Sequence, residues 1–279
     1  LVANDGAKLL PIGDTDYRDF RPTVQLASTL FCKHSYYNND LLDANLVFFN
    51  IEKIIKSNRL PNKSYFFKSF GLITNENDNF FIMFKFPNYK FKPGQSDALH
   101  LDVWLKRKNI LRDGGSFSYN TNPEDLNYFS GVKSHNTVEF DDHLQMPRLS
   151  RFLLGSWLKP INLKYHRNYF SCGYKDHWGC KHTRIVKSFQ KKIEVQDRIE
   201  GFKNNAVLRW RLIPSNWVLE GNTISNTEVS LEITADTELD IRLVEGLESR
   251  YYYQKQALPV IEITVKTPTQ IITSIRDLI

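Results

Sequence analysis

The stretch PGQSDALHLDVWLKRKNILRDGG, residues 93–115, predicts a β-hairpin. Between Leu99 and Leu105, leucine and valine alternate with polar or aromatic residues, and this period of two places successive side chains on opposite faces of a strand. The charged run KRKN at residues 106–109 supplies the turn, and the return strand begins at Ile110. We therefore expect an antiparallel strand pair that ends at the Asp-Gly-Gly sequence.

The polar face of the first strand carries His100, Asp102 and Trp104. At this spacing, His100 and Asp102 are close enough to form a long hydrogen bond or to share a ligand. Polar side chains on one face of an antiparallel sheet are commonly exposed to solvent, and we expect that arrangement for this pair. Trp104 presents a flat aromatic surface of the kind that lines sugar-binding sites, so it is a candidate substrate contact.

A second polar group lies in KSHNTVEFDDHLQ, residues 133–145, where His135 and Asn136 come directly before the strand-forming residues Thr137 and Val138. His135 could be a catalytic base, a metal ligand or a buried hydrogen-bonding residue. For a single histidine at the start of a strand, the structural role is the more common one. The Asn136 amide both donates and accepts hydrogen bonds, so it suits either a sugar hydroxyl or a bridge between backbone segments.

Two helices precede the hairpin, and many short strands follow. Apolar residues recur at helical spacing over Thr23–Cys32 and Leu41–Ile55. The runs that predict strands are Phe80–Phe86, Leu99–Leu105, Thr137–Phe140, Ile193–Ile199, Ala206–Leu212, Val229–Ile233, Leu239–Val244, Val260–Val265 and Gln270–Ile275. The chain is therefore expected to be mainly β, with a large antiparallel β-sandwich at residues 61–279 preceded by a short helical segment at residues 1–60.

The composition limits the expected partners. Hydrophobic residues make up 41% of the chain, enough for a core, and a net charge of +6 can attract nucleic acid or acidic polysaccharide. Nucleic acid is not expected, because the sequence lacks a recognition helix, a Gly-rich RNA motif and clustered basic and aromatic residues. No apolar run reaches membrane-spanning length, so we expect no membrane span. The opening residues, LVANDGAKLLPIGD, lack the basic and apolar regions of a signal peptide.

The chain has three cysteines. Cys172 and Cys180 lie eight residues apart across two glycines and could close a disulfide loop in an exported protein, while Cys32 is left over. An odd and sparse count does not indicate a disulfide framework. Neither a CxxC pair nor zinc-finger spacing is present.

A series of motifs follows a fixed order along the chain. They are GDTDYRDF (13–20), PGQSDALHLDVWLKRKNILRDGGSFSYN (93–120), YFSGVKSHNTVEFDDHLQM (128–146), RFLLGSW (151–157), GYKDHWGCKHTR (173–184) and VQDRIEG (195–201). In this order and spacing, the chain resembles the C-terminal part of the heparinase II/III-like family of polysaccharide lyases over nearly all of its length. The DGGSFSY turn, the SHNTV strand and the HTR sequence followed by VQD are the most specific pieces.

The resemblance implies an N-terminal α/α toroid packed on a C-terminal antiparallel β-sandwich, with the active cleft between them. Residues 1–57 would supply only the last helices of such a toroid. Family members cleave acidic polysaccharides by β-elimination, in which a neutralised uronate loses a proton to a base and an acid protonates the leaving oxygen. The base is often Tyr or His, and the candidates here are Tyr128, His100 and His135.

Some family members carry a structural metal in the sandwich, and its ligand positions resemble Gln95, Asp113 and His135. Gln is a poor zinc ligand beside imidazole, and period two places His100 on the opposite face from Gln95. A histidine that is catalytic in several members falls on Pro93, which can do no acid–base chemistry. We therefore expect no tight zinc site, although a structural zinc ion is possible, and the sequence firmly predicts no other cofactor. Instead, a hydrogen bond between Asp113 and His135 would fix the DGG turn against the SHNTV strand.

Two functions from different classes are open. The first is a polysaccharide lyase-like protein that acts on an acidic bacterial polysaccharide, with Asn136, Arg184 and Trp104 as candidate substrate contacts. Arg184 could bind a uronate carboxylate or form an ion pair with Asp197. The second is a non-catalytic carbohydrate-binding or surface-polysaccharide assembly protein that retained the fold. The resemblance is to a PGQSDxLH-type subgroup associated with surface-polysaccharide production, which implies the periplasm or cell envelope.

Overall fold

The computed structural model describes residues 19–37, 40–54 and 64–279, so the domain boundary expected at residue 60 lies outside it. Helix α1 spans Arg21–Ala27 and continues into a π-helical turn at Ser28–Cys32, which confirms the first predicted helix. A 3-10 turn at Asp40–Asp43 then leads into α2, Ala44–Phe48. The short helical segment is therefore present ahead of the strands.

The second helix is shorter than predicted, and a local motif explains where it ends. The prediction ran to Ile55, which lies outside the described residues, but α2 ends at Phe48. Asn50 has a left-handed φ of +51°, and the N–H groups of Asn50 and Ile51 bond to carbonyls of the preceding turn at 3.1 and 2.9 Å. This pattern is a Schellman motif, which caps the C-terminus of a helix, so the helical prediction over residues 49–54 was wrong.

Besides 3-10 turns at Lys68–Phe70 and Val132–Ser134, the other regular elements of the described residues are strands β1–β19 and helix α3. They are β1 Tyr65–Phe67, β2 Leu72–Glu76, β3 Phe80–Lys85, β4 Leu101–Leu105, β5 Lys108–Leu111, α3 Pro123–Phe129, β6 Val138–Phe140, β7 Arg148–Ser150, β8 Leu153–Leu154, β9 Ile161–His166, β10 Tyr169–Lys175, β11 Lys181–Ser188, β12 Lys192–Glu200, β13 Ala206–Arg211, β14 Val218–Glu220, β15 Thr223–Ser225, β16 Val229–Ala235, β17 Asp240–Glu248, β18 Gln256–Val265 and β19 Thr269–Asp277. Every strand predicted from the sequence overlaps one of these.

The strands form antiparallel sheets. A five-stranded sheet has the order β1-β2-β3-β4-β5, and an eight-stranded sheet has the order β14-β15-β16-β19-β12-β11-β10-β9. A four-stranded sheet has the order β17-β18-β13-β6, and β7 pairs with β8. A bridge between Leu111 and Leu212 joins the five-stranded sheet to the four-stranded sheet.

One core fills the space between the eight-stranded sheet and the other two large sheets. Strands β11 and β12 alternate buried and less buried side chains, because one face of each points into this core. Across the core, the rings of Phe84 in β3 and Phe170 in β10 have centroids 5.4 Å apart. Trp210 in β13 donates its Nε1–H to Thr273 in β19 at 3.2 Å. These contacts are those of the antiparallel β-sandwich that the sequence predicts.

The predicted hairpin is the β4–β5 pair. Lys106 and Arg107 form its two-residue turn with φ of +45° and +77°, the left-handed values that suit the twist of a tight hairpin. Strand β4 begins at Leu101, later than predicted, because Leu99 lies in a turn with φ of +62°. Strand alternation in the sequence predicts that Gln95 and His100 lie on opposite faces. That prediction fails, since the backbone between them is not a strand.

The two cysteines that could have formed a disulfide are both free. Cys172 lies in β10 opposite Arg184, whereas the carbonyl of Cys180 accepts the N–H of Asp176 across the next turn. Four residues of extended chain separate Cys172 from Asp176, which places the two cysteines roughly 13 Å apart along the hairpin. A disulfide needs Cα atoms within about 7 Å, so this separation does not allow the bridge that the sequence left open.

Candidate functional site

Asp113, at the end of β5, and His135, just before β6, meet at the centre of the candidate site. His135 Nδ1 lies 2.8 Å from Asp113 Oδ2, so the predicted hydrogen bond is present. The other carboxylate oxygen accepts the N–H of Gly115 at 2.8 Å, and the N–H of Gly114 donates to the Ser134 carbonyl at 2.8 Å. These bonds fix the Asp-Gly-Gly turn against the segment that precedes β6.

His100 is the third member of this buried group. Its Nδ1 accepts the backbone N–H of Asn136 at 3.0 Å, and its Nε2 lies 3.7 Å from Asp113 Oδ2. His100 and Asp102 are each 1% exposed, so the prediction of a solvent-exposed pair was wrong. Asn136, before β6, contacts the His100 ring, whereas Trp104 and Asn109 donate hydrogen bonds to the Asp102 carboxylate.

The positions that the resemblance links to catalysis and metal binding lie beside this group. Gln95 is half-buried and donates its side-chain amide to Ser116 Oγ at 3.1 Å. Pro93 is buried in the loop that leads to β4. His100, rather than Gln95, therefore joins Asp113 and His135.

The ligand atoms of His100, Asp113 and His135 lie within 4.8 Å of one another, the spacing of a metal site, but their hydrogen bonds do not fit a metal. The N–H of Asn136 donates to Nδ1 of His100, so the proton of the neutral imidazole is on Nε2, the atom that faces Asp113. A metal ligand needs a lone pair at that atom. The three side chains thus form a buried polar cluster, in which His135 is hydrogen-bonded to Asp113 and His100 is held by the Asn136 backbone. The expected absence of zinc at Gln95, Asp113 and His135 stays a prediction.

The electrostatics of this cluster keep Asp113 ionised. Burial alone would raise the pKa of Asp113, but the adjacent His135 and His100 hold that pKa well below its ordinary value. Burial raises the pKa of the neighbouring Asp102, whose Oδ1 accepts hydrogen bonds from the Trp104 indole and the Asn109 amide at 2.7 Å each. The charged Asp113 can therefore hold the His135 ring in one orientation.

Asn136 is buried, and its side-chain amide is used within the fold. Its Nδ2 donates to the carbonyls of Leu101 and Arg112 at 2.8 and 3.3 Å, and its Oδ1 accepts the N–H of Arg211 at 2.7 Å. Of the two interpretations of this amide, the structure therefore shows the backbone bridge. A sugar hydroxyl has no access to a side chain with 0% exposure, so the predicted substrate contact does not match its position.

Arg184 is also buried, and it pairs with Asp197 rather than facing solvent. Its Nε donates to Asp197 Oδ1 at 2.6 Å, and its Nη1 donates to the carbonyls of Leu99 and Asn136 at 2.7 and 2.6 Å. Its guanidinium lies over the Trp210 ring, 4.7 Å from the centroid. The predicted contact with a uronate carboxylate does not match this interior position, whereas the alternative ion pair is present.

The same carboxylate holds His182. His182 Nε2 lies 2.7 Å from Asp197 Oδ1, and its Nδ1 is buried without a hydrogen-bond partner. Burial lowers the pKa of His182, although Asp197 opposes the shift. The KHTR and VQD sequences thus build a buried ion-pair group under the candidate site.

The remaining predicted site residues are Trp104 and Tyr128. Trp104 is 4% exposed and packs with Leu72 and Met83 in a small second core, so it does not present a sugar-binding surface. Tyr128, in α3, is half-buried, and its hydroxyl accepts the N–H of Leu247 at 2.7 Å and an N–H of Arg211 at 3.1 Å. Among the three predicted bases, Tyr128 is therefore the one with partial exposure.

A surface above the DGG turn was missed by the sequence interpretation. We call it the aromatic–basic surface, and it consists of Lys92, Tyr119, Arg151, Phe152 and Tyr252. The rings of Tyr119 and Phe152 meet edge to face with centroids 6.0 Å apart, and Lys92 Nζ lies 6.0 Å from the Phe152 centroid. Tyr119, Phe152 and Tyr252 are 45%, 51% and 46% exposed. The signal was available in the loop sequences SRF and RYYY, where aromatic and basic residues are neighbours, and in FSYN, which has two aromatic residues.

Several loops hold this surface together. Arg151 donates from Nη1 to Asn120 Oδ1 at 3.4 Å and also donates to the carbonyl of Thr121. The Tyr252 hydroxyl lies 3.1 Å from Ser118 Oγ. These contacts join the loop after the DGG turn to the β7–β8 turn and to the β17–β18 connection.

The family model described as "Heparinase II/III-like, C-terminal" matches residues 59–272. The chain belongs to the heparinase II/III-like family. No curated protein matches this heparinase II/III-like chain. None of the helices in the described residues is long and apolar enough to cross a lipid bilayer.

Solved structures share the fold of this heparinase II/III-like chain. One heparinase III is 16% identical with a TM-score of 0.76, and the match covers 99% of this chain and 44% of that one. The heparan sulfate lyase HepC from Pedobacter heparinus is 18% identical with a TM-score of 0.68, covering 96% of this chain and 43% of that one. Another heparinase III is 14% identical with a TM-score of 0.73, and the match covers 99% of this chain and 45% of that one. The chain thus spans less than half the length of these structures, and at such identities the likeness shows the fold.

Proposed function

We propose that the protein acts on an acidic, uronate-containing polysaccharide by β-elimination, with this chain supplying the sandwich side of the site. The observation that carries the proposal is the aromatic–basic surface. Exposed aromatic rings can pack on the faces of sugars, while Lys92 and Arg151 can pair with carboxylates. The family membership and the net charge of +6 support the same class of ligand.

The chemistry would need groups from outside the sandwich. His100 and His135 are 1% and 0% exposed, and each is bound to its neighbours within the buried cluster. Tyr128 is half-buried, with its hydroxyl held by Arg211. We therefore propose that this chain binds and orients the polysaccharide, and that an N-terminal toroid packed on the sandwich supplies the base.

A second candidate function is a non-catalytic carbohydrate-binding or assembly protein. It is favoured by Pro93, which stands where several family members have a catalytic histidine, and by the burial of His100 and His135. The same aromatic–basic surface would serve this function, because binding requires no base. The two functions differ only in whether the bound polysaccharide is cleaved.

An assay of the protein expressed from its complete reading frame tests both functions. The protein is incubated with a panel of acidic glycans, and release of ultraviolet-absorbing unsaturated uronate is measured beside binding by calorimetry. Release from one glycan supports the lyase, and binding without release from any glycan supports the second function. Absence of both overturns the proposal.

Variants then test the surface itself. Arg151→Ala and Phe152→Ala should each weaken glycan binding roughly tenfold, equivalent to about 1.4 kcal/mol. Phe189→Ala is the matched control, because Phe189 is 49% exposed and lies outside the surface. Unchanged binding in both surface variants would place the ligand elsewhere.

A further inference from the structure

A second cluster of ligand-type side chains lies at the β10–β11 turn, away from the aromatic–basic surface. It contains Asp141, His143 and Cys180, whose ligand atoms all lie within 4.8 Å of one another. Cys180 is 1% exposed, and its Sγ lies 4.0 Å from His143 Nε2. Trp178 stacks on the His143 ring with centroids 4.0 Å apart and covers it from solvent. The cluster thus combines a nitrogen, a sulfur and an oxygen donor at a sheltered position.

The hydrogen bonds of His143 leave the atom that faces the thiol free. Its Nδ1 lies 2.9 Å from the carbonyl oxygen of Leu144, which can only accept, so Nδ1 carries the proton. The lone pair is therefore on Nε2 and faces Cys180. A metal-binding imidazole is typically oriented in this way, by a hydrogen bond from its other nitrogen to a carbonyl. At His100 the positions are exchanged: Nδ1 carries the lone pair and Nε2 carries the proton.

Asp176 places an unpartnered oxygen beside the cluster, next to Cys180. It is 6% exposed, and its Oδ1 accepts the N–H groups of Trp178 and Cys180 at 2.9 Å each. Its Oδ2 is buried without a hydrogen-bond partner. Asp141 lies within ligand distance of the Cys180 thiol, and Asp176 is bound to the Cys180 backbone, so both acids are near the thiol.

The negative charge of the cluster has no basic partner among the described side chains. The Asp141 carboxylate accepts the N–H groups of Lys203, Asn204 and Asn205, with Oδ2 accepting a single bond and keeping a free lone pair. Within the described residues, neither Asp141 nor Asp176 forms an ion pair with a lysine or arginine. Asp176 is the buried member of the two, and a buried carboxylate normally has such a partner or binds a cation.

We propose that His143, Cys180, Asp141 and Asp176 bind a Zn²⁺ ion that joins the turn after β6 to the β10–β11 turn. Thiolate, imidazole and carboxylate are the ligands that zinc prefers, whereas Ca²⁺ and Mg²⁺ take oxygen ligands. Ligands of a tetrahedral zinc ion lie roughly 3.5 Å apart, so the 4.0 Å between Sγ and Nε2 needs only a small closure. On binding, the thiol proton is released to solvent and a zinc–sulfur bond forms, without oxidation or reduction.

Cobalt titration of the metal-free 279-residue chain tests this site. Co²⁺ substitutes for Zn²⁺ and gives a thiolate-to-metal charge-transfer band only if a cysteine is a ligand. We expect the band to saturate near about one equivalent and to disappear when Zn²⁺ is added. Because the His100 cluster contains no cysteine, metal bound there would give no such band. A titration without the band overturns the proposal.

Variants assign the band to this cluster. Cys180→Ser should abolish it and weaken zinc binding by at least about 10–100-fold, the loss typical even of outer-shell partners. Cys172→Ser is the matched control, because Cys172 is a buried cysteine of the same hairpin and should keep the band. If Cys180→Ser does not fold, His143→Ala at its half-buried position should weaken zinc binding to the same extent. Persistence of the band in Cys180→Ser, or unchanged affinity in His143→Ala, overturns the assignment.

Discussion

Asn136 connects elements that are distant in the sequence. Its amide bonds to the carbonyls of Leu101 and Arg112 and to the N–H of Arg211, while its own carbonyl accepts from Arg184. One residue thereby holds β4, the end of β5, β13 and β11 in register. The neighbouring His135 adds its hydrogen bond to Asp113. The pair that looked catalytic in the sequence is the polar centre of the fold.

Replacing Asn136 by Ala should lower the free energy of unfolding by about 2–5 kcal/mol, because buried backbone groups lose their partners. Urea unfolding followed by tryptophan fluorescence measures the change. Asn204→Ala is the control, since the Asn204 side chain is exposed and should alter stability by no more than about 0.5 kcal/mol. Equal urea midpoints for the two variants would show that the Asn136 amide contributes nothing to the free energy of unfolding.

His182 should make the stability dependent on pH. Burial lowers its pKa below 6.5, so in mildly acidic solution the unfolded chain binds a proton that the folded chain does not. Stability is therefore present above about pH 6.5 and is lost as the pH falls, by up to about 1.4 kcal/mol per pH unit. Melting temperatures at about pH 7.5 and pH 5.5 measure the loss, which His182→Gln should reduce. His166→Gln, at an exposed position, should keep the wild-type dependence.

At the scale of elements, the sequence predicts strands whose apolar residues alternate or cluster, such as β4, β12 and β19. It does not indicate β9–β11, for physical reasons. Strand β9 lies at the edge of its sheet and is largely exposed, so it carries little apolar signal. Strand β10 buries Ser171, Cys172 and Gly173 in consecutive positions, so it shows no alternation of large apolar and polar residues, and Gly173 lacks β-propensity.

The candidate site was predicted only in part. The Asp113–His135 bond follows from two recognisable motifs. The position of His100 depends on the left-handed φ at Leu99, a local backbone feature that no apolar pattern reveals. The aromatic–basic surface could not be predicted as a unit, because loops far apart in the sequence build it. Its residues become neighbours only when the sandwich forms.

The Asp-Gly-Gly turn gives a prediction at this scale. Gly115 has φ of +78°, and a Cβ there would lie 2.1 Å from the Ser249 carbonyl oxygen. Gly115→Ala should therefore destabilise the chain by more than about 1 kcal/mol, from backbone strain and the displaced neighbour. Gly94→Ala is the matched control, since nothing lies within 4 Å of its added Cβ. Thermal unfolding compares the two variants. Equal melting temperatures would contradict the prediction that position 115 requires glycine.

The β10–β11 hairpin predicts the reactivity of the cysteines. Cys172 and Cys180 are buried and free, and burial raises the pKa of the Cys172 thiol to about 12, whereas Cys32 is exposed. A thiol reagent should therefore label Cys32 in the native chain and all three cysteines after denaturation. The measurement is made without reductant. Labelling of Cys32 alone after denaturation would indicate a disulfide between the other two.

At the scale of the whole molecule, the helical segment exposes an unusual amount of apolar surface. Phe31, Leu41 and Phe48 are 82%, 84% and 81% exposed. Exposed apolar clusters commonly mark surfaces that pack against another domain or protein. The chain spans less than half the length of the heparinase structures that share its fold. We propose that this segment is the end of a toroid and that the remaining toroid helices cover these exposed side chains.

This packing predicts the behaviour of the chain on its own. The 279-residue chain should bind a hydrophobic dye and self-associate with rising concentration, because apolar surface is in contact with water. Phe31→Ser combined with Phe48→Ser should reduce dye fluorescence and shift sedimentation toward the monomer. Phe70→Ser, an equally exposed position at the sandwich, is the control and should change both much less. Equal effects at the two places would contradict a specific surface on the helical segment.

The burial of the SHNTV and DGG residues has a consequence for how genomes are interpreted. Residues that hold a sandwich together can be kept for stability alone, whether or not the protein turns over a substrate. A gene that encodes these residues therefore indicates the sandwich fold and does not by itself indicate a reaction. Its reaction depends instead on exposed loops and on the toroid side of the proposed cleft. Two proteins with the same buried motifs can differ at both places.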